Sequence, residues 1–174
     1  MRSQLTFVKQ NARGFSLTEL LLVVAMVSAI AGFAVVSMVR GNRKVSRTNT
    51  AVEIANYLQK ARLDSMRRNA KEINQMAQVK VFNRRFYSIA IDGDADGYLD
   101  IPLVKSLPEE PGVDINGPFP KTYIFDWQGE TVDLQNHRVN PPAMTVTDGS
   151  AASAIKFSDD GNIVVVPAAK SPAK

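Results

Sequence analysis

Hydrophobic residues follow three different patterns along this chain. Across residues 20–39 they run almost unbroken, and Ser28 and Ser37 are the only polar positions. As a helix that run is about 30 Å long, roughly one bilayer core. No proline interrupts it, and Gly32 is tolerable in a helix surrounded by lipid. Across residues 49–77 the pattern becomes periodic. Ala51, Ile54, Leu58 and Ala61 recur at i, i+3 and i+4 spacing, which makes one apolar stripe. Arg62, Arg67, Arg68 and Lys71 cluster on the more polar side. Together these patterns predict one helix from about Phe15 to about Ile73, loosened at Gly41-Asn42. Its first half has membrane-spanning length, and its second half carries a stripe suited to lie against a sheet.

The third pattern is short and β-branched. Residues 78–82 and 86–91 are rich in β-branched and aromatic side chains, with near-alternation in Tyr87-Ser88-Ile89-Ala90-Ile91. Asn83-Arg84 reads as the turn between them. Residues 98–104, 122–127, 143–146, 154–157 and 163–166 read as further strands, punctuated by Pro and Gly at 108–112, 117–120, 141–142 and 161. A helix followed by a run of strands is an α+β arrangement. The expected organisation is a basic leader (1–14), a membrane helix (15–40), the half of that helix beyond the apolar run (41–77), a β-rich head (78–166) and a tail of mobile composition (167–174).

The junction Arg13-Gly14-Phe15-Ser16-Leu17-Thr18-Glu19 sets a carboxylate at the edge of the apolar run. A charge there is costly in lipid, so it calls for a purpose. The run can be an uncleaved signal anchor. It can be a secretory signal peptide, although those have apolar cores of about 7–15 residues followed by a small-residue cleavage site. Here the run is longer and is followed by Arg40, Arg43, Lys44 and Arg47. The third reading fits best: residues 1–14 look like a leader that is removed ahead of the apolar run.

On Arg13, Gly14, Phe15, Leu17, Glu19, Leu20 and Leu21 the chain resembles the type IV prepilin family. The resemblance implies that a membrane aspartyl peptidase, the prepilin peptidase, cuts after Gly14 and that Phe15 becomes the N-methylated first residue. It also implies that Glu19 serves assembly. Phe15 would carry a positive amine, with Glu19 about 6 Å further along the helix axis. Between two subunits, each charge would relieve the other's burial cost. The stretch Leu58-Gln59-Lys60-Ala61-Arg62-Leu63-Asp64-Ser65-Met66-Arg67-Arg68-Asn69 is similar to the same segment of GspH/FimT-type minor pilins and pseudopilins. That likeness implies a pilin-like fold, with the long helix packed on antiparallel sheet. It implies a filament subunit of a type IV pilus or a type II secretion pseudopilus. Its partners would be the prepilin peptidase, other pilin or pseudopilin subunits, the inner-membrane assembly machinery and membrane lipid. Basic residues flank the run on both sides, so charge counting does not orient it. The resemblance places the leader in the cytoplasm and the head in the periplasm or outside, on a single pass through the bacterial inner membrane.

The formal net charge of +4 divides into +11 over residues 1–90 and −7 over residues 91–174. A basic stretch beside a membrane suits anionic lipid or an acidic neighbouring subunit. The chain has no cysteine, which removes disulfides, thiolate metal sites and cysteine nucleophiles. His137 is the only histidine, so multi-histidine metal sites are excluded, and no nucleotide-binding or hydrolase motif occurs. The expectation is a protein that is not an enzyme, with His137 in a surface loop and Trp127 as a core anchor.

One loop carries candidate metal chemistry. In Asp92-Gly93-Asp94-Ala95-Asp96-Gly97-Tyr98-Leu99-Asp100, carboxylates stand at positions 1, 3, 5 and 9 of a calcium loop, with glycine at 6. Position 12 is Leu103 in place of the bidentate glutamate, and the flanks read as strands. Two readings stand: a calcium site built on Asp92, Asp94, Asp96 and Asp100, or an Asp-Gly turn with solvated carboxylates and no cofactor. A rival function is that of a signal-anchored periplasmic binding domain. Another is a DNA-uptake minor pilin, for which Arg84-Arg85 beside Phe82 and Phe86 is the best basic–aromatic patch, read here as hairpin residues flanked by core aromatics. The acidic outer half argues against nucleic acid as a partner.

Overall fold

A computed structural model describes residues 16–107, 109, 112–158 and 162–167. The leader, Gly14, Phe15, Gly161 and residues 168–174 lie outside the described residues. The chain divides into two compact units, Met1–Val39 and Arg40–Lys174.

Helix α1 runs Leu17–Arg68. Ser16 stands just before it, and its carbonyl accepts the amides of Glu19 and Leu20 at 3.0 and 3.1 Å. Gly41 and Asn42 are helical, so the expected loosening is absent. The helix stops earlier than Ile73 because Asn69 turns left-handed, at φ 53°. That residue type tolerates the conformation best after glycine. The Asn69 amide then reaches the Met66 carbonyl at 3.2 Å and the Ala70 amide reaches Ser65 at 3.0 Å. This pair of bonds is a Schellman cap, which satisfies carbonyls that the helix end would orphan.

Among the described residues nine strands follow: β1 Gln78–Val81, β2 Phe86–Ala90, β3 Leu103–Ser106, β4 Asp114–Asn116, β5 Lys121–Phe125, β6 Thr131–Val132, β7 Met144–Thr147, β8 Ala152–Phe157 and β9 Ile163–Pro167. They form a five-stranded sheet, β3-β2-β1-β5-β6, and a four-stranded sheet, β4-β7-β8-β9. Every pairing is antiparallel. The α+β class is therefore as expected.

The core lies where the periodic stripe meets both sheets. Ala51, Ile54, Leu58 and Ala61 are fully buried, against Val79 and Val81 of β1, Tyr87 and Ile89 of β2, and Tyr123 and Phe125 of β5. Ile115, Val146 and Ile155 bring the second sheet into the same cluster. Alternation fixes the faces: in β7, Met144 and Val146 are buried while Thr145 and Thr147 are half-buried. A smaller cluster of Ala70, Met76, Ile124 and Val132 fills the space beside the helix end. There the Ser65 hydroxyl accepts the Ala77 amide at 2.8 Å, tying the last helical turn to the start of β1.

Three local expectations change. Residues 98–102 are loop, and the strand starts at Leu103; Pro102 lacks an amide to give a ladder. Strands β4 and β6 are additional, short and framed by turn residues. Trp127 is a turn residue and 43% exposed, not a core anchor; the Lys71 ammonium lies 5.9 Å from its ring centre.

Candidate functional site

In the first unit, residues 16–39 are exposed along their whole length. Leu20, Phe33 and Met38 are 61%, 80% and 78% exposed. Burying a large apolar side chain is worth about 1.5–3 kcal/mol. Thirteen such side chains lie exposed between residues 20 and 39, so covering them is worth on the order of 20–40 kcal/mol. That exceeds the net stability of a typical domain, about 5–15 kcal/mol. This surface needs an apolar partner, whether lipid or other helices. The Ser28 hydroxyl donates to the Val24 carbonyl at 2.8 Å, so that polar group is satisfied within the helix. Among the described residues this is the one helix long and apolar enough to cross a membrane.

Glu19 lies exposed in the first turn of α1. The first turn of a helix favours a negative charge, because the helix dipole is positive there. That local role needs no second subunit, and it leaves the carboxylate open to one. Gly14 and Phe15, the predicted cleavage and methylation positions, lie outside the described residues.

In the second unit, the acidic loop is organised around Asp92, whose carboxylate is buried. Its Oδ1 accepts the Ala95 amide at 2.6 Å, and its Oδ2 accepts the Gly97 amide at 2.9 Å. Gly97 sits at φ 93°, a conformation that favours glycine. The Arg68 guanidinium lies 3.5 Å from Asp92 Oδ2. Burial pushes the Asp92 carboxyl upward, but the two amides and Arg68 outweigh it and hold the group below the usual carboxylate range. Asp64 completes the arrangement. It accepts Arg68 Nη2 at 2.7 Å, Arg68 Nε at 3.0 Å and the Asp92 amide at 3.2 Å. Arg68 also donates to the Gln75 carbonyl at 2.6 Å. The helix end, the loop and the approach to β1 are thus clamped by one half-buried guanidinium.

This clamp falls within residues 58–69, the segment behind the second resemblance. Its parts act locally: Asp64 and Arg68 hold the loop, Ser65 holds β1 and Asn69 ends the helix. Arg67 and Arg68 do not share one polar face: the Arg68 side chain is only 10% exposed, while that of Arg67 is 62% exposed. The i, i+4 spacing of Asp64 and Arg68 was the available signal. Arg47 and Asp148 form a second buried pair at 2.7 Å. They are 101 residues apart, so no local spacing announces them. Burial raises the Asp148 carboxyl, but Ser150, Ala151 and Arg47 together hold it below the usual range.

For calcium the donors fit in type. Carboxylate oxygens of Asp92, Asp94 and Asp96 lie within 4.8 Å of one another, and calcium takes six to eight oxygens. Asp100 stands apart from that group, because its Oδ2 accepts the Gly93 amide at 2.8 Å. The Asp94 and Asp96 carboxylates accept the amides two residues on, at 3.2 and 2.8 Å. Arg68 already supplies positive charge at Asp92. The loop therefore closes on its own amides, and a calcium ion would be held by Asp94 and Asp96 with one oxygen of Asp92.

The remaining candidates are surface features. His137 is exposed, with Nδ1 3.6 Å from Asp133. Phe82 and Phe86 are 39% and 45% exposed, so they are not the expected core aromatics. Arg85 beside them is paired with Asp114 at 3.4 Å and Glu109 at 3.7 Å.

No family model, no curated protein and no solved structure matches this chain. What the fold defines is an α+β head built on the second half of an N-terminal helix whose first half is apolar and uncovered.

Proposed function

We propose that this chain is a structural subunit assembled through its N-terminal helix: a minor pilin or minor pseudopilin of a type IV pilus or type II secretion pseudopilus. The carrying observation is the uncovered apolar surface of residues 20–39, preceded by the Arg13–Glu19 motif. Prepilin peptidase cleaves between Gly14 and Phe15, and Phe15 is methylated. Before assembly the apolar stretch resides in the inner membrane, with the head in the periplasm. In the filament the same surface packs against other subunits, and the Glu19 carboxylate pairs with a neighbour's Phe15 amine. The role is assembly and not catalysis. Calcium is at most an accessory at Asp92, Asp94 and Asp96.

A signal-anchored periplasmic binding domain is the second reading, because an anchor exposes the same apolar surface. It keeps residues 1–14, whereas the pilin does not. The assembly role is tested by Glu19→Ala. Leader cleavage should stay largely intact while incorporation into filaments drops. Incorporation at the native level would remove the charge-pairing role.

A further inference from the structure

Four cations follow the apolar run: Arg40, Arg43, Lys44 and Arg47. All four belong to α1, and helical rotation places them within an arc of about 100°. Arg47 is buried and held by Asp148. Arg40, Arg43 and Lys44 are exposed, and none has an acidic partner among the described residues. Lys44 contributes only its backbone carbonyl, to the Thr48 hydroxyl at 3.0 Å. Like charges at i, i+3 and i, i+4 repel along a helix, so the fold leaves these three uncompensated. Arg40 is the first residue after the apolar run, and Lys44 lies only about 6 Å further along the axis. That is within a Debye length, about 8 Å at physiological salt.

We propose that Arg40, Arg43 and Lys44 form a phosphate-binding face that takes the headgroup of an anionic phospholipid at the membrane surface. The inference rests on the reading that residues 20–39 cross the membrane. The two guanidinium forks match phosphate oxygens bidentately, and the ammonium adds a point charge. A lipid headgroup is favoured over an acidic neighbouring head because these charges begin where the apolar run ends. Each basic residue close to an anionic surface is worth about fivefold in affinity.

The chain has no cysteine, so Asn42→Cys gives a unique labelling site. The labelled full chain is reconstituted in bilayers containing spin-labelled phosphatidylglycerol or spin-labelled phosphatidylcholine, and headgroup quenching is compared. The expected result is a preference for phosphatidylglycerol on the order of tenfold or more. It should persist in added inorganic phosphate, and be lost in Arg40→Gln/Arg43→Gln/Lys44→Gln. Equal quenching by both lipids, or a preference that the triple variant keeps, would overturn the proposal. Abolition by inorganic phosphate would assign the face to the free ion. Absence of quenching by either lipid would remove the membrane-crossing reading and this proposal with it. If the triple variant keeps the preference but fails to join filaments, the face belongs to a protein neighbour.

Discussion

Asp64→Ala should destabilise the head more than an ordinary helix-surface change. Asp64 is 7% exposed and receives Arg68 through two bonds, at 2.7 and 3.0 Å. Its bond to Arg67, at 3.1 Å, comes from a side chain 62% exposed, so that one adds little. Removing one member of a buried ion pair costs about 3–5 kcal/mol, because the other charge stays buried. Arg68 keeps the Gln75 carbonyl and sits near Asp92, so the loss belongs near the low end, about 3 kcal/mol. For a unit of this size that lowers Tm by about 10–15 °C. Asp64→Asn keeps one acceptor oxygen and should lose less. Trp127, the only tryptophan, lies in the turn after β5 and reports head unfolding in the full chain in detergent. A double-mutant cycle with Arg68→Ala isolates the pair. A Tm drop under about 3 °C for Asp64→Ala, equivalent to less than 1 kcal/mol, would refute the clamp as a stabilising element.

The other predictions concern the core, the ionisable groups and the loop. Leu58→Ala leaves a cavity at a fully buried position. It should cost about 2–5 kcal/mol in urea unfolding while leaving membrane insertion unchanged. Asp92 and Asp148 are held below the usual carboxylate range. Their contribution is therefore full above the unfolded value of about 3.9 and lost as pH falls through the lower folded values. Urea midpoints should hold steady from pH 7 down to about 4 and then decline; a decline centred near pH 6 would contradict this. Burial pushes the Tyr123 hydroxyl up to about 12. Its contribution is present below about 10 and lost as pH rises through the folded value, which a pH series of the same midpoints would show. Because the acidic loop closes on its own amides, chelation should leave Tm unchanged, and only millimolar calcium should raise it. A rise at micromolar calcium would establish a tight site.

Much of the fold was legible because its signals are periodic. Ala51, Ile54, Leu58 and Ala61 marked the buried helix face by spacing alone. β1, β2 and β9 declared themselves through β-branched and aromatic residues. The helix end was less legible. Ile73 prolongs the apolar rhythm, and only Asn69 carries the stop. Strands β4 and β6, of three and two residues, are too short to show a period. The acidic loop looked like four metal ligands because spacing reports residue type and not what each carboxylate already accepts. Asp100 is committed to Gly93 and Asp92 to Ala95, Gly97 and Arg68. The Arg47–Asp148 pair joins distant parts of the chain, so only the folded structure brings it together. At the N-terminus the position is reversed. There the motif around Gly14 carries information that lies outside the described residues.

The most direct measurement is the N-terminal sequence and intact mass of the membrane-extracted chain, produced with and without prepilin peptidase. The account predicts a start at Phe15 bearing one added methyl group when the peptidase is present, and a start at Met1 without it. A start at Met1 in both preparations would contradict it and leave a signal-anchored domain.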